Sequence, residues 1–179
     1  LIGVPADVTV ECDATPTAAN VNATDNGDTN VNVFYQETKQ NGLCLDAYVL
    51  TRTWEATDDC GNTRKATQVI TVRDTKAPVL NGVPTNVTVE CNAIPNPAIP
   101  TATDNCDASV TIGYVQTTTQ NPDATLCTNY SYSLTRTWTA TDNCGNTSTQ
   151  VQIITVRDSQ APTFTKPADV TVECTASTD

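Results

Sequence analysis

The chain has 179 residues, eight cysteines, no histidine and a formal charge of −11, with a pI near 4.1. Such a field repels phosphates, which excludes nucleic acid and anionic membrane surfaces as partners and makes cations the natural counterpart. Without histidine or any CxxC pair the zinc-finger spacings fail, so disulfides and an oxidising, extracellular setting are expected.

Taken in chain order, the first element is GVPADVTVEC, Gly3 to Cys12, an alternating strand pattern that returns as GVPTNVTVEC (Gly82 to Cys91) and KPADVTVEC (Lys166 to Cys174). ATDNGD (Ala23 to Asp28) matches ATDNCD (Ala102 to Asp107), and LTRTWEATDDCGN (Leu50 to Asn62) matches LTRTWTATDNCGN (Leu134 to Asn146). ITVRDTKAP (Ile70 to Pro78) matches ITVRDSQAP (Ile154 to Pro162), giving a period of 84 residues from Pro78 to Pro162. That length suits a small β-sandwich and exceeds the usual helical solenoid repeats. The expected units are 1–77, 78–161 and a truncated third repeat, 162–179, of which the first strand is present. With no apolar run near the ~20 residues of a bilayer span and no signal peptide, the chain reads as an internal segment of a mature secreted protein.

Within repeat two the pattern predicts a strand ending at Cys91, a Pro-rich return (Asn92 to Pro100) and a strand from Val110 to about Thr118. A loop holding Cys127, a long strand from Tyr130 to Thr141, the DNCGN turn and a last strand from Thr149 to Arg157 follow. Short antiparallel strands without helical periodicity predict an all-β fold of tandem immunoglobulin-like or fibronectin III-like β-sandwiches with disulfides. Trp54 and Trp138 would suit a sugar platform if exposed. Period-two alternation puts Trp138 with Leu134, Arg136 and Ala140, which predicts core, with the Arg52 and Arg136 stems beside the indoles and their guanidinium groups on an acid at the sheet edge.

Strand direction predicts the disulfides. The first strand carries Cys91 to the far end of its repeat, where the loop holding Cys127 also lies; Cys106 and Cys144 fall at the near end. The expected pairs are Cys91 with Cys127, Cys106 with Cys144 and, in repeat one, Cys12 with Cys44. Gly27 stands where Cys106 stands, which leaves Cys60 without an intrarepeat partner, and Cys174 is unpaired because its repeat is cut short.

The linkers deliver Asp74 and Asp158 to the far end of one repeat, which is the near end of the next. Asp74, Asp104, Asp107, Asp142 and Asn143 therefore converge on a joint, and their hard oxygens are of the kind Ca²⁺ requires. The competing reading is that they hydrogen-bond their own turns and face water.

VTVEC, ATDNC, LTRTWTATDNCGN and ITVRDxxAP together resemble the hyalin-type, immunoglobulin-like repeats of very large Bacteroidota surface proteins, including gliding and type IX secreted adhesins. The resemblance implies a secreted or cell-surface stalk that carries mechanical load and presents a distal binding region, its partners being neighbouring repeats of the same polypeptide. A filament subunit is the alternative, in which the Val170 to Cys174 strand completes the sheet of another copy. No enzyme is expected: Ser and Thr lack an evident base, and Asp104 and Asp107 sit at a domain tip. No cofactor is required; Ca²⁺ at the joint is the one ion the residues suit.

Overall fold

The computed structural model describes residues 1–170. Apart from Val170, the expected third-repeat strand and Cys174 fall outside the described residues.

Repeat one forms β1 (Val8–Glu11), β2 (Asn32–Asn41), β3 (Tyr48–Thr57) and β4 (Thr63–Arg73), ordered β1-β4-β3-β2 in one sheet. Repeat two adds β5 (Val79–Asn81), β6 (Val87–Glu90), β7 (Thr101–Thr103), β8 (Thr111–Thr118), β9 (Tyr132–Thr141) and β10 (Thr147–Arg157). Its main sheet runs β6-β10-β9-β8, faced by the short β5-β7 pair. In repeat one that second layer shrinks to a single bridge between Ile2 and Asn22, the positions matching Asn81 and Thr101. The chain is all-β, built as tandem β-sandwiches of immunoglobulin-like type with disulfides. Among the described residues no helix is long and apolar enough to cross a membrane.

The expectation of antiparallel pairing fails at one place in each repeat: β1 lies parallel to β4, and β6 parallel to β10. Both members of each pair run from the near end to the far end, and a strand at a sheet edge can join in either sense because no hairpin ties it to its neighbour.

The long strands obey the alternation. In β9, Leu134, Arg136, Trp138 and Ala140 are buried while the threonines between them are less so. Trp54 and Trp138 are each 2 % exposed, so both indoles are core and offer no sugar platform. Tyr35 and Tyr114 tilt against them with ring centroids 5.5 and 5.3 Å away. Toward the far end a second cluster of Leu134, Ile154 and Val156 is closed by Val89 and Ile94. Gly61 and Gly145 turn the chain between the last two long strands at φ +85° and +88°, backbone that side chains adopt only with strain.

Arg52 and Arg136 are 4 % and 3 % exposed beside the indoles. Arg52 donates from Nε to Glu37 (2.8 Å), from Nη1 to the Thr17 carbonyl (3.0 Å) and from Nη2 to the Pro16 carbonyl (2.7 Å). The acid is present only in repeat one: Arg136 Nε meets the neutral Gln116 at 2.9 Å, and its Nη2 donates to the Pro95 carbonyl at 2.7 Å. Each arginine thus fastens the Pro-rich return, whose carbonyls have no strand partner, to the middle of the sheet. Arg52→Ala is expected to cost about 3 kcal/mol by leaving those acceptors and Glu37 unpartnered, read as a lower urea midpoint. The Arg52 hydrogen bond, chiefly, holds the Glu37 carboxyl below its ordinary 4.5. That contribution is present above the ordinary value and lost as pH falls through the lowered one, so Arg52→Ala also flattens the acid side of the stability profile.

Candidate functional site

The joint between the repeats is built from both. The far end of repeat one contributes the end of β1 and the β2–β3 loop; repeat two contributes the ATDNC and TDNCGN turns, and the Asp74–Ala77 linker runs between them.

Two disulfides cross this joint: Cys12–Cys106 (Cα to Cα 5.8 Å) and Cys44–Cys144 (5.0 Å). They replace the expected intrarepeat pairs of Cys12 with Cys44 and Cys106 with Cys144. The ends assigned to these cysteines are consistent with the structure. What differs is the partner, because the far end of one sandwich abuts the near end of the next and all four thiols meet there. Cys91 and Cys127, expected as a pair, are not bonded to each other, and Cys60 is also free.

Of the five predicted ligands the structure brings three together. Asp74, Asp104 and Asp142 each place one carboxylate oxygen within 4.8 Å of the other two. Asp107 and Asn143 serve elsewhere. Asp107 accepts from the Ser109 and Asn143 amides at 2.7 and 2.9 Å, and the Asn143 side chain donates across the joint to Asp46 at 2.6 Å.

The turn-bracing reading of the acids holds for one oxygen of Asp74 and of Asp104 and leaves the other oxygen of each uncommitted. Asp104 Oδ1 accepts from the amides of Cys106 (2.8 Å) and Asp107 (3.0 Å), and Asp74 Oδ1 from the amide of Lys76 (3.3 Å). The second oxygens, Asp74 Oδ2 and Asp104 Oδ2, are buried with no hydrogen-bond partner among the described residues. Asp142 is committed further: Oδ1 takes the Cys144 and Asn146 amides, and Oδ2 takes the Asn146 side chain at 2.9 Å.

Asp74 is 8 % exposed and Asp142 6 %. Burial, foremost, pushes the Asp74 carboxyl above its ordinary value, and the charges of Asp104, Asp142 and Glu11 add to this against the lowering effect of the Lys76 amide. No lysine or arginine pairs with the three aspartates among the described residues; Lys76, two residues beyond Asp74, is engaged with Asp13 at 3.2 Å. Two buried oxygens without donors among the described residues, in a cluster of three carboxylates within 4.8 Å of one another, are hard ligands of the kind Ca²⁺ takes. The three carboxylates would hold it, and it would supply the positive charge the cluster lacks.

Sequence reasoning passed over Glu11. Its carboxylate accepts from Thr75, from the amide at 3.1 Å and the hydroxyl at 2.6 Å, which fixes the linker to β1. Those bonds, hydroxyl first, hold the Glu11 carboxyl below its ordinary value. The sequence held a signal, since the VTVEC glutamate and a hydroxyl residue after the linker aspartate recur together as Glu11 with Thr75 and Glu90 with Ser159, and the second pair meets in the same way. Glu11 also approaches Asp74 and Cys106, but that sulfur is bonded to Cys12 and leaves no ligand set there.

Fold and joint together define a tandem-repeat β-sandwich protein whose units are stapled end to end. Residues 80–156 match the family described as "HYR-like domain with 4 cysteines", a stretch that contains Cys91, Cys106, Cys127 and Cys144. No curated protein matches the chain. Among solved structures it is similar to Drosophila N-cadherin EC1-4, at 12 % identity over 86 % of this chain and 48 % of that one, TM-score 0.36. Human mucin-like protocadherin EC1-2 matches at 14 % identity over 88 % of this chain and 98 % of that one, TM-score 0.34. Mouse protocadherin-24 EC1-3 matches at 14 % over 88 % and 69 %, TM-score 0.31. The chain spans about half the length of the first of these.

Proposed function

We propose that this chain is part of an extracellular, non-enzymatic stalk whose repeats, 1–77, 78–161 and the start of a third at 162, transmit tension and hold a binding region at a distance. The observation that carries the reading is the joint, where two covalent bonds and a buried acid cluster sit at the point at which a tandem array would otherwise bend. Ca²⁺ held by Asp74, Asp104 and Asp142 stiffens that point by removing the repulsion among them. Strands of ten residues at ~3.3 Å per residue make each repeat roughly 35 Å long, so the number of repeats sets the reach. The repeat motifs suggest a large cell-surface adhesin, of the Bacteroidota gliding or type IX secreted kind, as the parent protein.

The test is mechanical. The staples span sequence separations of 94 and 100 residues, and a bridged segment of that size is roughly 300 Å of extended chain at ~3.3 Å per residue. Pulled from its two termini, the oxidised protein is expected to extend less than the reduced protein by about that length, with a higher force for separating the repeats. Equal extension and equal force in the two states would remove the stalk reading.

A further inference from the structure

The residues that build the joint are present a second time, divided between the two open ends of the described unit. At the far end of repeat two, Cys91 stands where Cys12 stands in repeat one, Cys127 where Cys44 stands, and Asp158 where Asp74 stands. At the near end of repeat one, Asp25 and Asp58 match Asp104 and Asp142, and Cys60 matches Cys144. The three free cysteines among the described residues are therefore those whose counterparts are bonded across the internal joint.

Each open end has the local form of a half joint. Asp25 Oδ1 accepts the Gly27 and Asp28 amides at 2.9 and 3.1 Å, as Asp104 accepts those of Cys106 and Asp107. Asp58 grips Asn62 from both oxygens at 2.7 Å, as Asp142 grips Asn146. Glu90 fixes Ser159 as Glu11 fixes Thr75. A concavity of about 270 Å³ opens at the near end of repeat one, lined by Asp25, Gly27, Asp28, Asp58 and Cys60 among others. At the other end residues 161–170 are exposed and join no strand. The polar contact across the joint is also matched with its charge exchanged: Asp46 meets Asn143 internally, while the open ends carry Asn129 and Asp59 at those positions.

We propose that the occupant of each open end is another repeat of this kind, here supplied by a second copy of the chain docked end to end, with Cys127 of one copy bonded to Cys60 of the next. Asp158 then joins Asp25 and Asp58 in a second acid cluster. Gly27 offers no sulfur to Cys91, so one bond forms where the internal joint has two. The bond needs an oxidant, and a small-molecule disulfide serves. One thiolate attacks it and releases a thiol, and the second thiolate displaces the other half, so that two protein thiols and one disulfide give the crosslink and two small thiols. The inference deepens the stalk reading by naming what each end of the segment holds.

The test incubates the full chain in a reduced and oxidised glutathione mixture with CaCl₂, followed by non-reducing electrophoresis and mass spectrometry of the crosslinked peptides. A ladder linked through Cys60 and Cys127 is expected, lost in Cys60→Ser and in Cys127→Ser and kept in Cys91→Ser; these thiols are unbonded, so the variants keep the fold. Gly27→Cys is expected to add a second crosslink, from position 27 to Cys91, because Gly27 has ordinary backbone and room for a Cβ, with its nearest neighbour at 3.7 Å. No ladder, a ladder linked chiefly by like pairs such as Cys60 to Cys60, or one that passes through Cys91 in the native sequence overturns the proposal. Stiff rods that never form the Cys60 to Cys127 bond overturn this inference alone. The bond formed by chains whose internal joint yields freely under load overturns the stalk reading alone.

Discussion

Calcium added to the ion-free protein is expected to raise its melting temperature by about 5 to 10 °C. Ligand at a hundred times its dissociation constant contributes about 2.7 kcal/mol, and about 2 to 4 °C per kcal/mol is usual for a chain of this size. The gain comes from two buried oxygens, Asp74 Oδ2 and Asp104 Oδ2, that have no partner among the described residues, in a cluster whose three carboxylates approach within 4.8 Å of one another. Asp74→Asn separates a binding site from a merely acidic turn, because its effect is expected to change sign. Without calcium the amide relieves a buried, repelled charge and stabilises the protein; with calcium it removes a ligand and destabilises it. The pH profile is a second check. The folded protein holds the Asp74 proton more tightly than the unfolded chain, whose value is the ordinary 3.8. The ion-free protein therefore loses stability as pH rises from there through the raised value, and is level above it. With saturating calcium the slope reverses, since protons compete with the ion. Calorimetry with and without EDTA across this range reads both effects, and no difference on adding EDTA would remove the ion from the joint.

Breaking the joint disulfides is expected to change how the molecule unfolds as well as when. A crosslink that closes a loop of about 100 residues contributes about 4.7 kcal/mol on chain-entropy grounds, and the two here have separations of 94 and 100 residues. Because each joins one sandwich to the other, the oxidised protein is expected to melt in a single transition. The reduced protein, or the double variant Cys106→Ser and Cys144→Ser, is expected to melt in two, one per repeat, with the lower shifted down. Each repeat keeps its own tryptophan and sheet, so neither variant removes a core. Small-angle scattering is expected to show a single elongated shape for the oxidised form and a spread of bend angles for the reduced one. Two transitions in the oxidised protein would show that the staples do not couple the repeats.

The repeats, the all-β class and the inward face of the tryptophan strand were legible because they rest on local rules. A strand exposes alternate residues to opposite sides, and Leu134, Arg136, Trp138 and Ala140 follow that rule whatever surrounds them. The same local logic gave the run of the four main strands of repeat two, though not of the short β5 and β7, and with it the end at which its cysteines lie. It gave the linker aspartate and the turn aspartates as neighbours too, since Asp74, Asp104 and Asp142 each stand where a strand ends and the joint begins.

Which groups at that joint touch was a tertiary matter. Strand direction says that Cys12 and Cys44 share one end and Cys106 and Cys144 another, but a disulfide needs Cα atoms about 5 to 6 Å apart, and the distance across an end is not a property of the strands. The packing of one sandwich on the next brings opposite ends to 5.8 and 5.0 Å and so joins repeat to repeat. The same packing selects the acids. Asp107 and Asn143 are as acidic or polar as their neighbours, yet one braces a turn and the other reaches Asp46, while burial against the linker leaves Asp74 and Asp104 each an oxygen that nothing among the described residues satisfies. Periodicity along one strand fixed what faces inward. The contact between two ends that are distant in sequence decided which cysteines are bonded there and which carboxylates are brought together.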